Sequence, residues 1–280
     1  MKFQNPGLEI KNSIRIHNET MAVLKQTPTM IVLFGFIAVL DSLALMSLYL
    51  APSKPFSFLL APIIRTFWGD TFLHYPLNFV LLPKLFNHAH FIILTLFGMM
   101  ITGIVIKQIQ AAVEGKKISI FFAAQAVSKK YFALLAVWLG TAALWRFGFA
   151  RLIAYLPSNM FVHFALAFLS GVIFQACFVF IFPALLIQQE SVFKNLREGI
   201  LFGVKNLKSV SLLIALPVFF LFASSLLKSF APVFVKVYPE LVLWILSAGI
   251  LISMFADLWI TLSTTIYFMK ARSSSYATAN

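Results

Sequence analysis

The chain has 280 residues, 61% of them hydrophobic and 11% charged, with a mean hydropathy of +0.92. Soluble domains average about 45–50% apolar and about 25% charged residues, so a soluble fold of this length would have too little polar surface. The net charge of +13 then describes how a membrane protein is oriented, and no nucleic-acid partner is expected.

Residues 1–29 contain Glu9, Glu19 and several cations before any apolar run begins. A secretory signal would place a short apolar stretch directly behind a brief basic start, so this segment reads as a retained cytoplasmic, interfacial one. About 20 apolar residues in a helix cross a hydrocarbon core. By that measure the spans are residues 30–50, 88–106, 131–155, 160–187, 210–227 and 241–269, with 270–280 as a cytoplasmic tail. Pro183 and Pro217 are tolerated inside such spans. The loop after the first span is apolar over residues 55–68 and 77–86, which predicts two re-entrant or surface-lying helices. The fold class is an all-α integral membrane protein, one polytopic domain over residues 1–280.

Charge orients the spans. With the N-terminus inside, the cytoplasmic side holds Lys2, Lys11, Arg15, Lys25, Lys107, Lys116, Lys117, Lys129, Lys130, Lys194, Arg197, Lys205, Lys208, Lys270 and Arg272. Lys54, Arg65, Lys84, Arg146, Arg151, Lys228 and Lys236 fall on the other side. This two-to-one bias follows the positive-inside rule and places both termini in the cytoplasm, the membrane being the cytoplasmic (inner) one.

Each odd-numbered span is preceded by a basic amphipathic stretch. Over residues 191–208, Val192, Phe193, Leu196, Ile200, Val204 and Leu207 fall within an arc of about 120°, with Lys194, Arg197, Glu198, Lys205 and Lys208 opposite. Near the N-terminus Ile10, Ile14, Met21 and Leu24 share a face, and residues 118–130 repeat the pattern up to Lys129 and Lys130. The chain therefore reads as three units of interfacial helix, span and returning span. The basic faces are either topological anchors or docking sites for anionic lipid headgroups or a partner protein. The residues named for that role are Lys116, Lys117, Lys129, Lys130, Lys194, Arg197, Lys205 and Lys208.

Asp41 and Asp257 are the acids inside apolar runs. On insertion scales each costs roughly 2.5–3.5 kcal/mol at a helix centre, so neither should face lipid. Arg146 is the expected partner of either. The pair serves a proton or substrate relay, or it fixes helix packing. His74, His88 and His90 lack the spacing of a zinc site, and no metal or other cofactor is expected. The sole cysteine, Cys177, lies in an apolar run and reads as a small buried hydrophobe. There is no Gly-x-Ser-x-Gly elbow, no phosphate-binding Gly-Lys-Ser/Thr loop and no His-Glu-x-x-His, so no catalytic residue is assigned.

The stretch from Phe182-Pro183-Ala184-Leu185-Leu186-Ile187 through Gln189-Glu190 to Asn195-Leu196-Arg197-Glu198-Gly199, with the three interfacial helices, resembles a broad group of bacterial six-span membrane proteins. That group is related to the membrane domain attached to some glycerophosphodiester phosphodiesterases. The resemblance implies a fold and no catalytic residues, because the attached enzymes hydrolyse with a separate soluble domain. The function expected is that of a non-enzymatic envelope protein, a transport or membrane-organising component. The alternatives are a secondary transporter of a small or lipid-like substrate using Asp41 and Asp257, and an intramembrane lipid-modifying enzyme.

Overall fold

The computed structural model describes residues 6–149, 151, 160–188 and 190–277. Six helices are long and apolar enough to cross a membrane: Thr29–Leu50, Leu77–Val113, Tyr131–Gly148, Val162–Ile187, Leu207–Ser229 and Leu241–Arg272. No strand occurs among the described residues, and the chain is an all-α polytopic membrane protein. Lipid offers no hydrogen bonds, and a helix satisfies its backbone amides within its own segment.

The elements fall in three similar runs. In the first, α1 (Pro6–Gln26) leads through Thr27 and Pro28 into α2 (Thr29–Leu50). There follow α3 (Phe56–Trp68), a 3-10 turn (Asp70–Leu73) and α4 (Leu77–Ile93), which continues through a π-helical turn at Leu94–Gly98 into α5 (Met99–Val113). In the second, α6 (Ile120–Ser128) leads through Lys129 and Lys130 into α7 (Tyr131–Ala143) and a π-helical segment at Leu144–Phe149. The chain returns as α8 (Met160–Phe178) and α9 (Ile181–Ile187). In the third, α10 (Val192–Lys205) leads through Asn206 into α11 (Leu207–Ser229), followed by the short α12 (Ala231–Val235) and the long α13 (Leu241–Ala277). The expected order of short amphipathic helix, span and returning span is present three times.

Three details differ from the sequence reading. Residues 77–86 are not a separate capping helix. They are the first turns of the second span, which runs 37 residues. At roughly 1.5 Å per residue this is about 55 Å, so the helix tilts or projects beyond a hydrocarbon core of about 30 Å. The fourth span is broken by a turn at Val179 and Phe180. Pro183 lies four residues beyond Val179 and has no N–H to give its carbonyl, so the helix restarts as α9. The sixth helix continues beyond residue 269 to Ala277, where a tail was expected. The far end of the third span, residues 150 and 152–155, lies outside the described residues; Arg151 is helical, with its guanidinium 5.9 Å from the Phe147 ring.

The chain groups into two compact units. The first comprises residues 1–33, 98–219 and 257–280, with a core that includes Ile104, Val127, Leu134, Ile181 and Leu185. The second comprises residues 34–97 and 220–256, and its core includes Leu45, Ile64, Phe72, Phe86 and Leu246.

Glycine determines the tightest contacts of the first unit. A Cβ at Gly203 would stand 2.5 Å from the Ala176 carbonyl oxygen and 2.7 Å from that of Cys177. One at Gly199 would stand 2.9 Å from Cα of Ile181. Helix α10 therefore rests backbone-to-backbone on α8 and α9. Gly203→Ala should cost about 1–3 kcal/mol as overpacking and lower the thermal unfolding midpoint in detergent by several degrees. Gly140→Ala, where a Cβ meets nothing within 4 Å, should leave that midpoint unchanged or slightly higher.

Candidate functional site

On α2, Val32, Phe36, Val39, Leu43 and Met46 recur at helical spacing and are all exposed, forming one stripe. The opposite side packs inward and carries Phe34, Ile37, Ala38, Leu45 and Asp41, which is only 2% exposed. The acid thus turns away from lipid, as its desolvation cost requires.

Its partner comes from α4. A hydrogen bond of 2.9 Å joins Oδ2 of Asp41 to Nδ1 of His90, and the imidazole stacks on Phe86 with ring centroids 6.0 Å apart. Nζ of Lys228 on α11 stands 6.0 Å from the centroid of the same Phe86 ring. The Asp41 carboxylate acts on that ammonium electrostatically. Helix α13 passes with bare backbone at Gly249, where a Cβ would meet Cε of Lys228 at 2.9 Å and Oγ of Ser224 at 2.9 Å. Oδ1 of Asp41 and Oγ of Ser224 are both buried without a hydrogen-bond partner. Asp41 and His90 are thus placed to pass a proton between them, while Lys228 stands over the Phe86 ring that supports His90 and lies with Ser224 against Gly249.

Arg146, the expected partner of Asp41, is exposed in the π-helical segment after α7, and His90 takes the role instead. Asp257 belongs to the first unit and is half-buried on α13. His74 and His88 go elsewhere. Nε2 of His74 lies 3.3 Å from Asp70, and Nδ1 of His88 lies 2.7 Å from the Lys84 carbonyl. Asp70 also accepts from Nε of Arg65 at 2.7 Å, and this holds its carboxyl below the usual carboxylate range.

The basic residues named from the sequence separate into two groups. Lys117, Lys129, Arg197, Lys205 and Lys208 are exposed. Lys116 and Lys194 are exposed too, in ion pairs with Glu114 at 2.9 Å and Glu190 at 3.0 Å. Lys130 is different, because its Nζ donates to the carbonyls of Leu185 at 2.6 Å and Gln188 at 3.1 Å. It caps the C-terminal end of α9, where a cation meets the negative end of the helix dipole, and burial pushes its ammonium below the ordinary value.

All three short helices keep apolar side chains outward. Ile10, Ile14 and Met21 of α1, Ile120, Phe121 and Phe122 of α6, and Val192, Phe193 and Val204 of α10 are exposed, Phe193 by 86%. The inward residues are Ile16 and Thr20 of α1, Ala123 and Val127 of α6, and Asn195, Gly199 and Gly203 of α10. Beside α10 an apolar groove of about 360 Å³ is lined by Ala136, Gly140, Leu144, Phe178, Phe193 and Ile200.

Sequence reasoning missed Ser224 and Gly249, and named His90 only in weighing a zinc site and Lys228 only as a cation of the outer side. Lys228 was counted among the outer loop charges although it closes the fifth span, and an ionisable group within a span was the signal available. No family model matches the chain, and neither a curated protein nor a solved structure matches it.

In the first unit, Nε1 of Trp259 donates to Nδ1 of His17 at 2.9 Å, and the two rings stack with centroids 5.6 Å apart. Burial holds the imidazole below its ordinary value of 6.5, so the folded state binds fewer protons than the unfolded state just below that pH. The stability from this contact is complete above the unfolded value and is lost as pH falls through the lowered folded one. Acidification from pH 7.5 to 5 should therefore alter the Trp259 fluorescence. His17→Phe should flatten that response, and an identical response in the variant would show that another group causes it.

Proposed function

We propose that this protein is a non-enzymatic, membrane-organising component of the cell envelope. It lies in the cytoplasmic membrane with both termini inside and holds anionic lipid, or a partner protein, against three membrane-surface helices. One observation carries the reading: α1, α6 and α10 each pack on the protein through one face and leave an apolar stripe exposed beside their cations. A helix on the membrane surface needs this arrangement, with apolar side chains sunk beneath the headgroups and cations among them. Each Lys or Arg near the surface adds about 1 kcal/mol of attraction to an anionic leaflet. The two-to-one distribution of cations supports the orientation, and the likeness of residues 182–199 to the bacterial six-span group belongs to the same reading. Full-length protein extracted in mild detergent should retain anionic phospholipids above their membrane abundance, as measured by lipid mass spectrometry. Combined Lys194→Gln, Arg197→Gln and Lys208→Gln should lower that enrichment several-fold. Protein recovered with lipids in membrane proportion would count against the reading.

The Asp41–His90 pair favours a second reading, a secondary transporter. A buried carboxylate with one oxygen bound to an imidazole and the other unpartnered is an arrangement suited to proton coupling. Proteoliposomes carrying an internal pH dye should then show proton entry under an imposed gradient, and Asp41→Asn should abolish it. Equal entry for both proteins would remove this reading.

A further inference from the structure

Helix α7 keeps its face toward α10 nearly bare. Ala133, Ala136 and Gly140 fall on that face, and a Cβ at Gly140 would meet nothing within 4 Å. With Leu144 of the same span and Phe193 and Ile200 of α10, they line the apolar groove of about 360 Å³. We propose that this groove binds one acyl chain of a phospholipid, drawn from the leaflet on whose surface α10 lies. The inference rests on the reading of α10 as a membrane-surface helix and names a site and a ligand class for it.

Chain position and helix geometry set the depth of the groove. The third span starts at Tyr131 and the fifth at Leu207, just after α10. Successive odd spans start on the same side of a membrane, so the upper end of the groove and α10 share one face. Ala133 and Leu144 are eleven residues apart, about 16 Å at roughly 1.5 Å per residue. The groove therefore reaches from that face to about the middle of a hydrocarbon core some 30 Å thick. It is one leaflet deep.

Lining and shape select the occupant. Thr141 carries the one polar side chain of the lining, and its hydroxyl donates to the Trp138 carbonyl at 2.9 Å. No group in the groove asks for a polar ligand, and water would find no partners there. An empty groove would forfeit the dispersion contacts of its lining, so hydrocarbon fills it. The cross-section decides which hydrocarbon. Spread over about 16 Å, the volume corresponds to about 22 Å². A partner span, from another protein or from a second copy, is a helix about 10 Å across that needs about 80 Å². It would also have to continue through both leaflets, whereas α10 already walls the groove at the membrane surface with Phe193, Leu196 and Ile200. A single methylene chain, about 4–5 Å thick at carbon contact distances, matches the groove in width and ends with it in depth.

Full-length protein is placed in phosphatidylcholine nanodiscs with a trace of the same lipid carrying a diazirine at the end of one palmitoyl chain. After irradiation, labelled residues are located by mass spectrometry of the digested protein. Labels on Gly140, Thr141 and Leu144 should exceed several-fold those on Leu212, Leu216 and Phe219 of α11, which are exposed apolar residues of another span. Gly140→Phe fills the groove and should remove the excess, and Ala136→Leu should reduce it without depending on the first variant's folding. Leu139→Phe, an exposed neighbour outside the lining, should leave it unchanged. Equal labelling of the two spans would overturn the groove, as would an excess that survives both filling variants. Weaker labelling of α7 than of α11 would overturn it in favour of a covering protein. A second probe with the diazirine beside the headgroup should label Val192, Phe193 and Val204 of α10. Labels there without the excess on α7 would overturn the groove alone, and no labels there would overturn the membrane-surface reading as well.

Discussion

Helix α10 lies on the fourth span only because Gly199 and Gly203 put no side chain between two backbones. Everything at that face follows from the contact. With the glycines and Asn195 turned inward, Val192, Phe193 and Val204 are left outward, and Lys205 reaches the edge beside α13. The apolar groove toward α7 is one flank of that helix, and its other flank faces α13. A methyl group at residue 203 would collide with main-chain oxygens of Ala176 and Cys177, which cannot rotate aside as a side chain can. The contact is van der Waals packing between small residues, which is what holds helices together where surrounding lipid is as apolar as they are.

The same economy appears at Gly249 in the second unit. A lysine stem and a serine hydroxyl fit against α13 because that residue has no side chain. Lys228 thereby brings its ammonium over Phe86, whose ring also supports His90. Burying an acid without a counterpart would be costly. The counterpart here is assembled from an imidazole on α4 and a cation on α11, while one carboxylate oxygen stays unengaged.

Local rules made the helical elements legible, and long-range packing hid the pairings. Apolar runs of about 20 residues marked six spans because span length is set by hydrocarbon thickness. The 3.6-residue period of Val192, Leu196, Ile200 and Val204 marked α10 for the same kind of reason. The sequence also required Asp41 to turn away from lipid, and it does. The identity of its partner depends on which spans neighbour each other. Asp41 and His90 are 49 residues apart, and no periodicity relates them, so the arginine chosen on grounds of charge alone was the wrong residue. Residues 77–86 were read as a separate helix because the His and Asn near residue 88 interrupt the hydropathy. The backbone continues through them, since helical hydrogen bonding is indifferent to those side chains.

Lys130 shows how a cation beside a span can serve the fold rather than the membrane. Its sequence neighbour Lys129 is exposed, whereas Lys130 reaches into the carbonyls that end α9. Those carbonyls are orphaned because α9 stops at Ile187, and Pro183 already costs the break at its other end one backbone bond. A charged donor there ties the end of the fourth span to the start of the third. The basic collar of the chain is therefore not uniform: Lys130 and Lys270 tie distant parts of the protein together, Lys270 through Glu19 of α1, while Lys116 and Lys194 are held in local ion pairs.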